Sequence, residues 1–146
     1  SRTVGAMTAE IVVANFYALR DPVGFDRAAR LLVRRMRLQG MEGVRSYRFS
    51  GSDPRERRLV AIYDGAEAWV AHHDLILAWP ETVALRAAAR LVRTDLYGPV
   101  PPPVLDWIPR LGLGRMLRHN GVPVAGYPEA RPAPMRFAGS AGRRAG

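Results

Sequence analysis

Residues 10–40 read EIVVANFYALRDPVGFDRAARLLVRRMRLQG, and this stretch predicts a strand followed at once by a helix. Glu10 to Tyr17 is rich in β-branched and aromatic residues and is short enough to be a strand. Asp21 has the chemistry of a helix N-cap, Pro22 suits the first helical position, and Gly40 is expected to end the helix after Gln39. The predicted apolar stripe of this helix consists of Phe25, Ala28, Ala29, Leu32, Val33 and Met36.

The chain that follows predicts a sheet of four strands. Segments 44–49 and 58–63 are expected to pair as a hairpin around the polar turn GSDPRER at 51–57. Asp64 and Glu67 have the spacing of an N-capping box, which predicts a short helix through about His73. Trp79-Pro80 opens another helix, and residues 91–97 alternate as a last strand. The order βαββαβ, with its second helix broken in two, predicts an α+β ferredoxin-like domain over residues 8–98.

Three further segments flank this domain. Residues 1–7 look like a remnant of cloning, and they are left out of the fold argument. Residues 99–127 are predicted to hold a stiff proline-rich linker and then an apolar segment with Trp107 and Ile108, which should fold over a cavity mouth or across a dimer. Residues 128–146 are dominated by Pro, Gly, Ala and Arg, and we expect disorder there.

Composition excludes several classes of function. The chain has no cysteine, so disulfides, thiolate metal sites and a cysteine nucleophile are excluded. No metal is expected either, because there are only three histidines and no carboxylate at ligand spacing beside them. No apolar run is long enough to span a membrane, and we expect a soluble cytoplasmic protein without a membrane partner.

The formal charge of +9 does not indicate nucleic acid. In residues 8–98, fourteen arginines face eleven acidic residues, whereas seven face two in residues 99–146. The excess therefore lies mostly outside the predicted domain, and no lysine accompanies the arginines. A nucleic-acid binder usually carries both cations along one face, so no nucleic-acid partner is expected.

A homodimer is expected from the sheet itself. Helices on one face of a four-stranded sheet leave the other face uncovered, and strand alternation gives that face apolar and aromatic side chains. Two-fold pairing with a second copy is the simplest way to bury it.

Four segments form a recognisable set: Asn15-Phe16 in the first strand, the Gly40-to-Phe49 turn and strand, the third strand with the Glu67-Ala-Trp69-Val-Ala-His72 run, and the closing Leu96-Tyr97-Gly98. In this order and spacing they resemble the antibiotic biosynthesis monooxygenase family. The similarity covers about residues 10–98. It implies a dimeric α+β barrel and, for several members, oxidation of anthrone-like aromatic substrates by O₂ without metal, haem or flavin.

The resemblance also implies site residues. The family's first-strand asparagine matches Asn15, its helix histidine matches His72, and its tryptophan at the end of the third strand is replaced by Tyr63. Catalytic roles are therefore expected for Asn15, Tyr63 and His72. Substrate contacts are expected for Trp69, Trp79, Tyr17, Tyr47, Phe49 and Arg45. Each has a structural alternative: Asn15 could be satisfied by backbone, Tyr63 could be core or dimer interface, and His72 could bond a loop carbonyl.

The resulting hypothesis is a cofactor-independent monooxygenase that uses O₂ as co-substrate on a small aromatic polyketide-like molecule. Three alternatives stay open: an enzyme like the haem-degrading oxygenases, a non-oxidative cyclase or isomerase, and a non-catalytic ligand-binding dimer. Much of this hypothesis rests on fold analogy, and the remaining support has to come from the geometry of the site residues.

Overall fold

The computed structural model describes residues 9–128. The stretch quoted above forms strand β1, Ile11–Leu19, and helix α1, Pro22–Gln39. The hairpin strands are β2, Val44–Ser50, and β3, Glu56–Tyr63. The broken second helix consists of α2, Ala66–Ile76, and α3, Pro80–Ala87, and strand β4, Ala89–Tyr97, follows. After β4 come helix α4, Pro102–Trp107, a 3₁₀ turn, Pro109–Leu111, and strand β5, Leu117–His119.

The strands form one sheet in the order β2-β3-β1-β4-β5. β1 pairs antiparallel with both β3 and β4, and β2 pairs antiparallel with β3. The first four strands therefore have the ferredoxin-like arrangement, and the α+β prediction is confirmed. β5 adds an edge strand parallel to β4, which the sequence pattern did not predict.

Helix α1 has the predicted ends. The Asp21 carboxylate accepts a hydrogen bond from the Gly24 backbone N–H at 3.0 Å, and Pro22 occupies the first turn. Gly40 follows the last residue with φ of 76°, a left-handed value that suits glycine. The buried stripe is Phe25, Ala28, Ala29, Leu32 and Met36. This stripe fixes which face of α1 packs against the sheet.

Two local predictions are corrected. Asp64 does not cap α2: Gly65 is the N-cap residue, and it makes no side-chain capping bond. The Asp64 carboxylate instead pairs with Arg45, Oδ1 to Nε at 2.6 Å, and an ion pair is a stronger partner than a backbone amide. In addition, Pro102 and Pro103 begin helix α4 and do not continue an extended linker, because proline is compatible with a helix's first turn.

The helices cover one face of the sheet. Odd-numbered residues of β1, such as Ile11, Val13 and Leu19, are buried against them. The opposite face carries Val12, Ala14, Phe16 and Ile62 partly exposed, with Val60 and Val92 at 40% and 45% exposure. None of the helices in residues 9–128 has the length and apolarity needed to cross a membrane. The expectations for residues 1–7 and for most of the C-terminal tail fall outside the described residues.

Candidate active site

A cavity of about 100 Å³ lies between the helix-covered face of the sheet, helices α2 and α3, and the segment after α4. Its walls are mostly apolar. Ile108, Leu111, Leu113 and Leu117 line it, so the segment after α4 closes one side. Polar atoms come from a small set of side chains: Asn15, Tyr17, Tyr47, Tyr63, His73, Thr82, Arg86 and Thr94. A few polar groups that converge in an apolar cavity are typical of a small-molecule site.

Asn15 is held by two side chains, not by the backbone. Its Oδ1 accepts a hydrogen bond from the Thr94 hydroxyl at 2.7 Å, and its Nδ2 donates to the Tyr17 hydroxyl at 3.3 Å. Thr94 stands directly opposite Asn15 in the β1–β4 register, and the strand pairing shifts immediately afterwards, between Phe16 and Tyr17. Because the amide oxygen is fixed by Thr94, the orientation of the NH₂ group is fixed too. One N–H of that group is not used by Tyr17.

Three tyrosine hydroxyls share the cavity. Burial raises the pKa of Tyr17, Tyr47 and Tyr63 above the ordinary value for a phenol. Like-charge interaction with another of these tyrosines raises the pKa of Tyr47 and Tyr63 further. All three are therefore neutral hydroxyls at physiological pH. In this state a hydroxyl donates a hydrogen bond to an anion and does not act as a base.

His73, not His72, lines the cavity. Its Nδ1 lies 2.7 Å from the Trp69 carbonyl oxygen, and its ring packs against the Trp69 indole at a tilt of 37°, with a centroid distance of 4.2 Å. A carbonyl can only accept, so we assign the proton to Nδ1 and the lone pair to Nε2. Burial lowers the pKa of His73 to about 4, which keeps the ring neutral.

His72 lies behind the wall, between the rings of Tyr47 and Tyr63 at centroid distances of 5.1 and 5.5 Å. It is 2% exposed, and neither ring nitrogen has a hydrogen-bond partner within the described residues. Burial, with a smaller contribution from His73, lowers the pKa of His72 to about 3. His72 therefore packs as a neutral aromatic ring in this structure.

The six residues expected to contact the substrate fall into two groups, one that lines the cavity and one that does not. Trp69, Tyr17, Tyr47 and Phe49 line the cavity. Trp79 lies in the core beside α1, where the Arg35 guanidinium sits 4.3 Å from its ring centroid. Arg45 lies away from the cavity and pairs with Glu10 and Asp64. The structure thus brings six of the nine expected side chains to one cavity and leaves His72, Trp79 and Arg45 outside it.

Two functional candidates were missed from sequence. Thr94 fixes Asn15, but only the strand register reveals that they are opposite. Arg86 of α3 lines the cavity four residues after Thr82, and its charge lowers the pKa of Tyr17 against the larger effect of burial. Helical spacing from buried Thr82 was the available signal, since residues four apart on a helix lie on the same face.

This arrangement suits stabilisation of a negative charge. Neutral hydroxyls and the Asn15 amide face an apolar cavity, where such donors act strongly because water is largely excluded. The exposed Arg86 side chain borders the same cavity. The Trp69 indole Nε1 is also buried, and it has no acceptor within residues 9–128. Within residues 9–128 no cluster of three His, Asp or Glu side chains could hold a metal ion.

No family model matches this sequence, and no curated protein is similar to it in sequence. Solved structures are similar in fold. MupZ from Pseudomonas fluorescens matches 88% of this chain and 99% of its own, with a TM-score of 0.59 and 14% identity. SnoaB, a cofactor-independent oxygenase from Streptomyces nogalater, matches 60% of this chain and 90% of its own, with a TM-score of 0.53 and 14% identity.

A protein from Chloroflexus aurantiacus, named provisionally as an antibiotic biosynthesis monooxygenase, matches 64% of this chain and 95% of its own, with a TM-score of 0.51 and 19% identity. At these identities the likeness shows the fold. Residues 9–128 therefore have the ferredoxin-like fold of structures that include antibiotic biosynthesis monooxygenase-like proteins.

Proposed function

We propose that this chain is a cofactor-independent monooxygenase that oxidises a phenol- or anthrone-like aromatic intermediate of secondary metabolism with O₂. The observation that carries the proposal is the Asn15 amide, fixed by Thr94 and Tyr17 at the wall of an apolar cavity. The fold of a cofactor-independent oxygenase supports it. The substrate would act as its own reductant, so the protein need only favour its anion.

In the first step the substrate loses a proton, from the methylene group of an anthrone or from the hydroxyl group of a phenol, and becomes a phenolate-type anion. His73 Nε2 is the proton acceptor in this account, in place of His72, because His73 lines the cavity and its Nδ1 is committed to the Trp69 carbonyl. The negative charge that develops on the substrate oxygen is stabilised by N–H and O–H donors of Asn15 and Tyr63. Arg86 adds a full positive charge at the same cavity.

The anion then transfers one electron to O₂, and the resulting radicals combine to form a carbon–oxygen bond. The peroxide takes back the proton from His73, whose pKa of about 4 makes it a good donor once charged. Loss of water leaves a new C=O group. One oxygen atom of O₂ enters the product and the other leaves as water, so no external reductant is consumed.

Substrate entry requires the cavity to enlarge. Its volume of about 100 Å³ is below the roughly 300 Å³ at which drug-sized pockets begin. The segment after α4 contributes Ile108, Leu111 and Leu113 to the wall and leads into the short strand β5, which pairs with β4 over three residues. We infer that this segment moves outward to admit the substrate and closes over it.

The proposal is tested by aerobic incubation with a panel of anthrones and naphthols under ¹⁸O₂ in chelator-treated buffer. Product mass decides between the readings: a gain of one labelled oxygen supports oxygenation, whereas a mass-neutral product means a cyclase or isomerase. Absence of any product, with ligand binding retained, would point to a non-catalytic binding dimer.

Haem degradation is the less favoured alternative. A porphyrin is far larger than the present cavity. Titration with haem should give no Soret band of an axially ligated complex. Such a band would replace the present account with the haem one.

The homodimer remains part of the proposal. The sheet face opposite the helices exposes an apolar group, Val12, Ala14, Val60, Ile62 and Val92. A second copy of the same face would bury it around a two-fold axis. Sedimentation equilibrium should give a dimer mass for the wild type, and Val60→Glu should give a monomer mass.

A further inference from the structure

Another concave surface lies on the outer side of the helices, between α1 and α3. The two helices run antiparallel: Arg35 pairs with Glu81 at 3.0 Å near one end, and the Asp21 backbone N–H donates to the Ala88 carbonyl at 3.0 Å near the other. A groove of about 610 Å³ follows the line between them. It extends along α1 from Asp21 to Leu31, which is about 15 Å at the helical rise of about 1.5 Å per residue. The proposed homodimer leaves this groove accessible, because it buries the opposite face of the sheet.

The groove is largely apolar. Its apolar lining includes Ala28, Leu31 and Ala84. The two carboxylates in the lining already accept hydrogen bonds from the chain itself, since Asp21 caps α1 and Glu81 pairs with Arg35. The third charged side chain, Arg27, forms no ion pair within residues 9–128. The groove therefore offers apolar surface with an available cation on its α1 side.

Arg27 belongs to a row of cations along the exposed side of α1. This row, which we call the arginine ridge, consists of the exposed residues Arg27, Arg30, Arg34 and Arg37. Their spacings of three and four residues put them on one side of the helix. None of them forms an ion pair with another residue of 9–128. Like charges at this spacing repel each other, and a negatively charged partner would relieve that repulsion.

Large apolar side chains accompany the arginine ridge. Leu31 and Leu38 are 47% and 76% exposed, and they lie on the same side of α1 because seven residues make about two helical turns. Leu31 also lines the groove, so the apolar surface continues from the ridge into the groove. A helix face that has only to interact with water needs no leucines there. The combination of leucines, arginines and a groove is typical of a surface that receives another helix.

The chemistry of the partner follows from this combination. Guanidinium groups bind carboxylates with paired N–H donors, and leucine side chains bury best against other apolar side chains. An acidic amphipathic helix offers both groups at the same spacing of three and four residues. Nucleic acid would use the arginines but leave the leucines uncovered, and a flat lipid surface could not enter a groove between two helices. We propose that the arginine ridge and the groove bind an acidic amphipathic helix of a partner protein.

Fluorescence anisotropy with a labelled synthetic peptide tests this surface. The probe is a peptide of about 18 residues, long enough to be helical, with leucines along one side and glutamates beside them. A peptide of the same composition in scrambled order has the same charge but no apolar side. We expect the amphipathic peptide to bind at least about ten-fold more tightly than the scrambled one, because it alone can cover the leucines and the arginines together.

Charge on the arginine ridge is tested with Arg27→Gln/Arg34→Gln. This double variant should weaken binding of the amphipathic peptide by about ten-fold or more, since it removes two charge-assisted donors. The matched control is Arg115→Gln/Arg118→Gln, which removes the same charge from exposed residues near strand β5 and should leave binding unchanged. Thermal unfolding should show that both variants keep the fold. Equal weakening by the two variants would overturn the proposal, because only net charge would then matter.

The apolar part of the surface is tested with Leu31→Ser/Leu38→Ser. We expect it to weaken binding of the amphipathic peptide by about five-fold or more, because less apolar area is buried. The control Leu75→Ser/Leu105→Ser changes two other exposed leucines and should have no effect. No binding of the amphipathic peptide, or equal binding of the scrambled one, would overturn the proposal. Tighter binding of a single-stranded oligonucleotide or of phosphatidylglycerol vesicles through the same arginines would overturn it in favour of nucleic acid or lipid.

Discussion

The Thr94 hydroxyl donates a 2.7 Å hydrogen bond to Asn15 Oδ1 across the β1–β4 strand pair. Thr94 is 2% exposed, so water cannot replace this bond. Asn15, which is expected to contact the substrate, is thus oriented by Thr94, for which no catalytic role is proposed. A buried polar pair of this kind fixes a side-chain conformation more firmly than packing alone.

Removal of the Thr94 hydroxyl should lower both stability and turnover. In Thr94→Val the shape is kept but Asn15 Oδ1 loses its buried donor, at a cost of about 1–3 kcal/mol. Chemical denaturation measures the stability, and kcat should fall because the Asn15 amide can then rotate. Thr82→Val is the control: its hydroxyl is buried without a partner in the described chain, so stability should be equal or higher. Equal destabilisation by both variants would contradict the Thr94–Asn15 assignment.

Acid should destabilise the protein through its buried histidines. The pKa values of His72 and His73 are about 3 and 4 in the folded state, below the roughly 6.5 of an unfolded chain. Between these limits the unfolded state binds more protons, so the free energy of unfolding falls as the pH drops from about 6.5 to 4.

Each buried histidine contributes up to about 1.4 kcal/mol per pH unit to that slope. His72→Phe should therefore flatten the pH dependence of stability measured by urea unfolding. An unaltered slope in His72→Phe would mean that His72 is not buried in its neutral form.

We expect Arg86 to stabilise the substrate anion and to contribute little to the stability of the fold. Arg86→Gln removes the guanidinium at the cavity and should lower kcat by about ten-fold, with activity shifted to higher pH because the substrate anion is less stabilised. Arg86→Lys should retain part of the activity. The control Arg90→Gln changes an exposed residue at the start of β4. A pH profile of Arg86→Gln identical to that of wild type would remove Arg86 from the site.

Gly43 should be intolerant of any side chain. Its φ is 80°, and an added Cβ would overlap the Cβ of Ala68 on helix α2. Gly40 has a similar φ of 76°, and no atom of the described residues lies within 4 Å of a Cβ built there, so Gly40→Ala reports the backbone strain alone. We expect Gly43→Ala to cost about 1–3 kcal/mol more than Gly40→Ala in denaturant unfolding. The double variant Gly43→Ala/Ala68→Gly should recover most of that difference, and failure to recover would show that the overlap is not the cause.

The sequence predicted correctly those helix ends that are determined by residues close together in the chain. Asp21, Pro22 and Gly40 define both ends of α1 by chemistry within a few residues, and the structure has those ends. Asp64 was misread because its carboxylate has a distant competitor in Arg45, which only the tertiary fold brings near. Strand β5 escaped prediction because three residues carry no periodic pattern and its pairing with β4 is non-local.

The candidate site was only partly predictable for the same reason. Asn15 could be singled out because an amide is unusual within an apolar strand. The choice between His72 and His73 depends on how α2 is rotated about its axis, since neighbouring helix residues point about 100° apart. Identification of Thr94 required the β1–β4 register, and identification of Arg86 required the position of α3. Neither can be obtained from the sequence pattern of one chain.

The most direct test of the central claim compares wild type with Asn15→Leu and Asn120→Leu under ¹⁸O₂, on whichever substrate of the panel turns over. Asn120 is an exposed asparagine after β5, so its variant controls for amide loss in general. The account predicts one labelled oxygen in the wild-type and Asn120→Leu products at equal rates, and a rate at least about ten-fold lower for Asn15→Leu. Equal rates for all three proteins, or a product without labelled oxygen, would contradict it.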